Sequence, residues 1–432
     1  MKKSLLLSCI LAIVFIAAFP GQSVTADDHN RTVTIWTFAT NREDDIRQIQ
    51  GEIESRFAVH IEIKLIPQYN FIDSLTRAMR FGKDTPDIID WMIENNRMLS
   101  ANPDNSYVMP LNQFVNRSAG VHAVPQGRMD WCTYGDYVYG IPGDVHPVVL
   151  VYNDTLWKEA GVDLETIETW DQFFEAAKKL ISKKKNGKPI HYALPYGNNG
   201  LQTSMFMIWQ QTGTQILDPY GNPDFTNPDF ALFVKKWREW VKSGVFCDWD
   251  WGQFGNMLES GIMAAYPAPD WWVSRVDDAA KNSSYKFKVR PLPVYRAGGS
   301  RTASWGGTFM AIPKTVDNPV LMFQIMEYIQ FNRENERNFY LDTGILPVDT
   351  TVYNDPVFDR PDARFGGIKL GRLQCDLALG LPAIKTGDIF WDAINDFTEQ
   401  YHLLEAGTLT VEECLENTQK EAMKRIKNQS FY

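Results

Sequence analysis

The chain has 432 residues and a net charge of −10, too acidic to present the basic face a phosphate backbone demands, so no nucleic-acid partner is expected. Its length exceeds what one ordinary core supports and points to two or three domains. Aromatic residues reach 13%, with 14 Trp, a first hint of ligand stacking.

The N-terminus reads as a secretory signal. Lys2 and Lys3 precede the apolar stretch Leu5 to Phe19, Pro20-Gly21 breaks it, and Val24-Thr25-Ala26 offers small residues for cleavage before Asp27. Residues 1–26 are therefore expected to be removed, and the mature chain to be exported to the periplasm or the cell surface. The apolar run is about 15 residues, short of the roughly 20 that span a membrane. Leu6-Leu7-Ser8-Cys9 resembles a lipoprotein cleavage box, but apolar sequence continues well past the cysteine, so no lipid anchor is expected. Cys132, Cys247, Cys375 and Cys414 remain, an even number that permits disulfides in an exported chain. None has metal-site spacing, and no metal or cofactor is expected.

In chain order, Val33 to Phe38 is a β-rich run and Asp44 to Phe57 has apolar residues at helical spacing (Ile46, Ile49, Ile53). Ile61 to Ile66 reads as a strand, Phe71 to Phe81 as a helix, and Asp87 to Trp91 as a short buried strand. That alternation predicts a parallel sheet covered by helices. The grammar resumes with the strand Val148 to Tyr152. Thr169-Trp170-Asp171-Gln172 is a capping box opening a helix whose apolar face carries Phe173, Phe174, Ala177, Leu180 and Ile181. Asp218 to Asp229 reads as a hairpin followed by a helix capped at Asn227 with Pro228 at its first position; the spacing of an EF-hand is absent. The picture is two α/β halves built alike.

Catalytic signatures are missing: no GxSxG elbow, HExxH, Walker loop or GxGxxG occurs. Aromatic and polar residues instead cluster at strand ends, where open α/β sheets bind ligands. Trp36-Thr37-Phe38-Ala39-Thr40-Asn41 ends the first strand and Trp91-Met92-Ile93-Glu94-Asn95 the third. Ala268-Pro269-Asp270-Trp271-Trp272 follows an apolar run, and Ser304-Trp305-Gly306-Gly307-Thr308 precedes another. Sugars suit such places, because their C–H faces stack on rings while their hydroxyls need fixed donors and acceptors. Adjacent residues of an extended chain point apart, so one of Trp271 and Trp272 should face the ligand, and Trp271 is preferred. Asp270 and Glu94 are expected to accept bonds from sugar hydroxyls.

Tyr139-Gly140-Ile141-Pro142, Val149 to Asn153, Lys158-Glu159-Ala160-Gly161-Val162 and Thr169-Trp170-Asp171-Gln172-Phe173 together resemble the signature run of family 1 extracellular solute-binding proteins, which include the maltose-binding proteins. Thr85 to Ile89, Ser260 to Ala265 and Thr343 to Pro347 fit in order, so the resemblance covers about residues 31 to 425. It implies a two-lobed periplasmic-binding-protein fold, each α/β lobe a mainly parallel sheet flanked by helices, the two joined by crossing strands. One lobe would comprise 31–142 plus 304–348 and the other 143–303 plus 349–432. Position by position it places Trp91, Glu94, Trp271 or Trp272, and Trp391 at stacking or polar sites, Thr40 and Asn41 near the first strand, and Gln202 and Trp209 at a looser aromatic position. Phe38, Trp305 and Gly306 complete the expected ligand set.

The implied role is a monomeric receptor that hands a sugar, expected to be an oligosaccharide, to the permease subunits of an ABC importer, without catalysis. Two alternatives compete. A receptor for a glycerol phosphodiester or other anion would show cationic donors, for which Arg42, Arg275, Arg301 and Arg372 are available. A secreted glycan-active enzyme would use paired carboxylates.

Overall fold

The computed structural model describes residues 31–429 except 93–98, 101, 198–200, 202 and 219. The expected signal sequence, Glu94 and Gln202 lie outside the described residues. Strand β1 (Arg31–Thr37) leads into helix α1 (Thr40–Phe57), β2 (Val59–Leu65), α2 (Gln68–Phe81) and β3 (Ile88–Met92). β1 pairs in parallel with both β2 and β3, as the strand-helix alternation predicts. Thr308–Ala311 then adds antiparallel to β3, and Ile141–Pro142 closes the far edge, giving a five-stranded first sheet. Helix α1 starts four residues before the expected position. Ala39 caps it without a side-chain bond, so no polar signal marked the boundary.

The second sheet is built on Val148–Asn153, buried at every residue. It is flanked by Ala265–Pro269 and Phe287–Pro291, both antiparallel, where the expectation was a mainly parallel sheet. A fully covered strand reads as a continuous apolar run whichever way its neighbours point, so this pairing is invisible in the strand itself. Around it the helices Trp170–Leu180, Ser204–Gln210 and Pro228–Lys242 pack with Phe390–Glu405 and Val411–Gln429. The Thr169 capping box forms in both directions, and Asn227 caps its helix with Pro228 in the first turn. Asp218 closes the expected hairpin by accepting from the backbone N–H of Tyr220 and Asn222.

The chain passes between the sheets along neighbouring segments. Gly143 N–H bonds to Thr308 O, Val148 N–H to Ala303 O, and Pro147 bridges Ser304. The stretch from Val352 to Ala378 packs on both sides: Tyr353 and Phe358 join the core of the first sheet, Phe365 and Leu370 that of the second. Cys132, Cys247, Cys375 and Cys414 are all buried free thiols, pushed well above the usual thiol range by desolvation. No described helix is long and apolar enough to cross a membrane, and no cluster of metal-ligating side chains occurs among the described residues.

Candidate functional site

A cavity of about 850 Å³ opens between the two sheets, within the roughly 300–1,000 Å³ usual for small-molecule sites. The first-sheet side supplies Phe38, Ala39, Asn41, Arg42, Gln68 and Met92 from the strand ends and the helices that follow them. The second side supplies Trp251, Trp271, Trp391 and Asn395. The crossing segments supply Asp144, His146, Trp305 and Gly306.

One wall is aromatic. The strand Ala265–Pro269 ends in the short helix Asp270–Val273, which turns Trp271 into the cleft and Trp272 into the core. The Trp271 ring lies 5.3 Å from that of Trp305 and 6.3 Å from that of Trp251. Trp251 and Trp305 lie nearly parallel, 14° apart with centroids at 6.1 Å. Trp251 is 50% exposed, an unusual cost for so large a ring unless something covers it. Trp272 sits behind the three, against Phe254 at 4.5 Å.

The base of the cleft is charged and tightly tied. Arg128 donates twice to Asp144, Nε to the backbone O at 2.7 Å and Nη2 to Oδ1 at 2.5 Å, and once to the Ser304 hydroxyl, from Nη1 at 3.2 Å. Thr308 N–H also points at both Asp144 carboxylate oxygens, 3.2 Å away. Burial raises the cost of the Asp144 charge, but His146, Arg128 and Arg42 outweigh it and hold the carboxyl below its ordinary range. Gly307 fits here with φ +114°, and a Cβ on it would strike the Arg128 guanidinium and the Asp144 carboxylate. Arg42 is spent locally, bonding Asp45 at 2.8 Å and Gly143 O at 2.5 Å.

Of the residues expected from sequence, Phe38, Asn41, Trp271, Trp305, Gly306 and Trp391 line the cavity. Others do not, and the reasons are physical. Trp91 is fully buried because β3 is covered on both faces; its ring stacks on Phe309 of the neighbouring strand, 5.7 Å away. Trp209 is fully buried in its helix, wedged between Phe206 and Phe230. Trp272 is core, as described. Thr40 is exposed in the first turn of α1 but outside the cavity lining. Asp270 is 5% exposed and its oxygens serve the protein: Oδ1 meets His146 Nδ1 at 2.6 Å and accepts from Trp271 N–H, while Oδ2 accepts from Leu346 N–H. It braces the site instead of receiving hydroxyls.

Sequence reasoning missed Trp251, Gln68, Asp144, His146 and Asn395. Trp251 carried a signal, since Asp248-Trp249-Asp250-Trp251 repeats the pairing of Trp with a polar residue. Asp144 and His146 follow the expected lobe boundary at residue 142 with no aromatic neighbour to mark them. Of the four arginines available for an anion, Arg42 alone lines the cavity; Arg301 pairs with Glu168 and Arg372 with Asp359 elsewhere.

A family model described as bacterial extracellular solute-binding protein matches residues 55–365. The chain belongs to that family. An arabinooligosaccharide-binding protein of Halalkalibacterium halodurans is 25% identical over 418 residues, 92% of this chain and 91% of that protein. A Bacillus subtilis arabinooligosaccharide-binding protein is 23% identical over 360 residues, 81% of this chain and 80% of its own length. Among solved structures, the sugar-binding protein MalE of Xanthomonas citri superposes with a TM-score of 0.75 at 17% identity, covering 93% of this chain and 98% of its own. The fold is thus the two-lobed solute-binding fold.

Proposed function

We propose that this chain is the extracytoplasmic receptor of an ABC importer, capturing an oligosaccharide in the cleft and delivering it to the permease subunits. The observation that carries this reading is the aromatic wall: Trp271, Trp305 and Trp251 meet in one surface facing polar side chains across the cavity. Such a surface stacks sugar rings, and Asn41, Gln68 and Asn395 offer neutral hydrogen-bonding groups to hydroxyls. The names of the sequence relatives make arabino-oligosaccharides the first class to try.

In this reading the lobes 31–142 plus 304–348 and 143–303 plus 349–432 close on the ligand, because contacts from both sides favour the closed state. The stretch from Val352 to Ala378 forms the seam. Residues 1–26 direct export and are removed, the mature chain acts as a monomer, and it turns nothing over. An anion receptor is disfavoured because Arg42 is already neutralised by Asp45.

The test is a thermal-shift panel on residues 27–432, with arabinotriose, maltotriose and glycerophosphodiesters, beside a reducing-end assay. A ligand bound only by the native state raises the melting temperature. The reading expects a shift with an oligosaccharide and no new reducing ends. A shift with phosphodiesters alone, or sustained hydrolysis, contradicts it.

A further inference from the structure

His146 stands where the chain leaves the first sheet for the second. Its backbone is left-handed, with φ +56°, a conformation that strains a residue bearing a Cβ and persists only where its surroundings hold it. The side chain is almost wholly buried, yet it borders the cleft. Both ring nitrogens meet carboxylates. Nδ1 lies 2.6 Å from Asp270 Oδ1, and Nε2 lies 3.2 Å from Asp144 Oδ1. A neutral imidazole has one donor and one acceptor nitrogen, and an ionised carboxylate only accepts. The imidazolium alone satisfies both contacts.

These contacts join separate parts of the fold. Asp144 is fastened to Arg128 and to Thr308 of the first sheet. Asp270 opens the helical turn that aims Trp271, and it accepts from the backbone N–H of both Trp271 and Leu346. The His146 ring also meets the Trp271 ring edge-on, 6.5 Å between centroids. One side chain therefore ties the crossing segment to the foundation of the aromatic wall.

We propose that His146, as an imidazolium, is a positioning residue for ligand capture: by holding Asp270 it fixes Trp271 in the cleft, and affinity falls when the ring loses its charge. The proposal rests on the oligosaccharide reading of the cleft. The charged groups around the ring are Asp144 on its own segment, Asp270 on the facing turn, and Arg128, Arg42 and Asp90 beyond Asp144. Tyr340 and Tyr353 stand on the far side of Asp270. Burial pulls the imidazolium down, but Asp144 and Asp270 outweigh it and bring its pKa to about 9. Burial pushes Tyr340 up to about 12 and Tyr353 well above its ordinary value. Because the folded value lies above the ordinary one of about 6.5, the ring is charged in the folded protein at neutral pH and loses that charge as pH rises through about 9; its contribution to folding stability is complete below about pH 6.5 and is lost over the same rise.

The experiment is a tryptophan-fluorescence titration of residues 27–432 with arabinotriose and maltotriose between pH 7.5 and 10.5, for wild type and His146→Gln. Wild-type affinity should fall at least about tenfold, with a midpoint near 9. His146→Gln should bind at least about tenfold more weakly at pH 7.5 and show a flat profile. The wild-type profile needs no variant, so a misfolded His146→Gln leaves the test standing. In the sugar-free protein, ¹⁵N-imidazole NMR at pH 8 should show both His146 nitrogens protonated. Binding that ignores pH over this range, full affinity in a folded His146→Gln, or a neutral His146 ring at pH 8 overturns the proposal. Silence from both sugars at pH 7.5 instead removes the oligosaccharide reading, and the proposal with it.

Discussion

Trp271 donates its indole N–H to the backbone oxygen of Trp305 across 3.1 Å. The bond spans two distant pieces of chain: the turn after Ala265–Pro269 and the crossing segment before Thr308–Ala311. It orients the Trp271 face toward the cavity while the neighbouring Trp272 remains fully buried. Two adjacent tryptophans therefore have different jobs, and truncation separates them. Trp272→Ala should cost about 3–5 kcal/mol of stability, read by chemical denaturation, with affinity preserved in the folded fraction. Trp271→Ala should melt near the wild type. A Trp272→Ala protein as stable as wild type would contradict this division.

Arg128 is fully buried, and its bonds to Asp144 take the place of water. Arg128→Met strands the Asp144 carboxylate with its shell broken. Removing one partner of a buried ion pair costs about 3–5 kcal/mol. A loss under about 1 kcal/mol in urea unfolding would mean that water reaches Asp144.

The same site sets an acid limit. The folded Asp144 carboxyl titrates below its ordinary value, so its contribution is present above about pH 4 and is lost as pH falls further. Melting curves at pH 7, 4 and 2.5 should show a steeper loss for wild type than for Asp144→Asn, which has no such proton to take up. Parallel losses would remove Asp144 from the acid transition.

Gly307 needs both its left-handed φ and its missing Cβ. Gly307→Ala should destabilise by more than about 1 kcal/mol and weaken ligand binding, because the collision falls on the groups at the cleft base. Denaturation and titration of the same sample check both halves. A neutral substitution would show that the Arg128 guanidinium has room to move.

Much of the fold was legible because local signals agreed with it. The alternation from Val33 to Trp91 becomes a parallel β1, β2 and β3, and the Thr169 capping box forms as its residue types dictate. The antiparallel flanks of Val148–Asn153 were not legible, since pairing direction depends on strands more than 100 residues away. The site was half legible. A Trp at a strand end is a good sign of a cleft, but which way a ring points depends on strand parity and helix register: Trp91 and Trp209 turn inward, Trp271 and Trp305 outward. Asp270 looked like a hydroxyl acceptor because its partners His146 and Leu346 lie 124 and 76 residues away along the chain. Trp251 was harder to read because it lies in the loop after Phe246–Asp248, a three-residue strand too short to stand out in the sequence.

The most direct test of oligosaccharide capture on the Trp271 wall is a calorimetric titration of arabinotriose and longer arabino- and malto-oligosaccharides into residues 27–432, wild type beside Trp271→Ala. Binding hot spots rich in Trp lose about 2 kcal/mol or more on truncation, and about 1.4 kcal/mol is a factor of ten. The wild type should show one saturable site, and a folded Trp271→Ala should bind at least roughly thirtyfold more weakly. No heat from any oligosaccharide, or equal affinity in the two proteins, would contradict it.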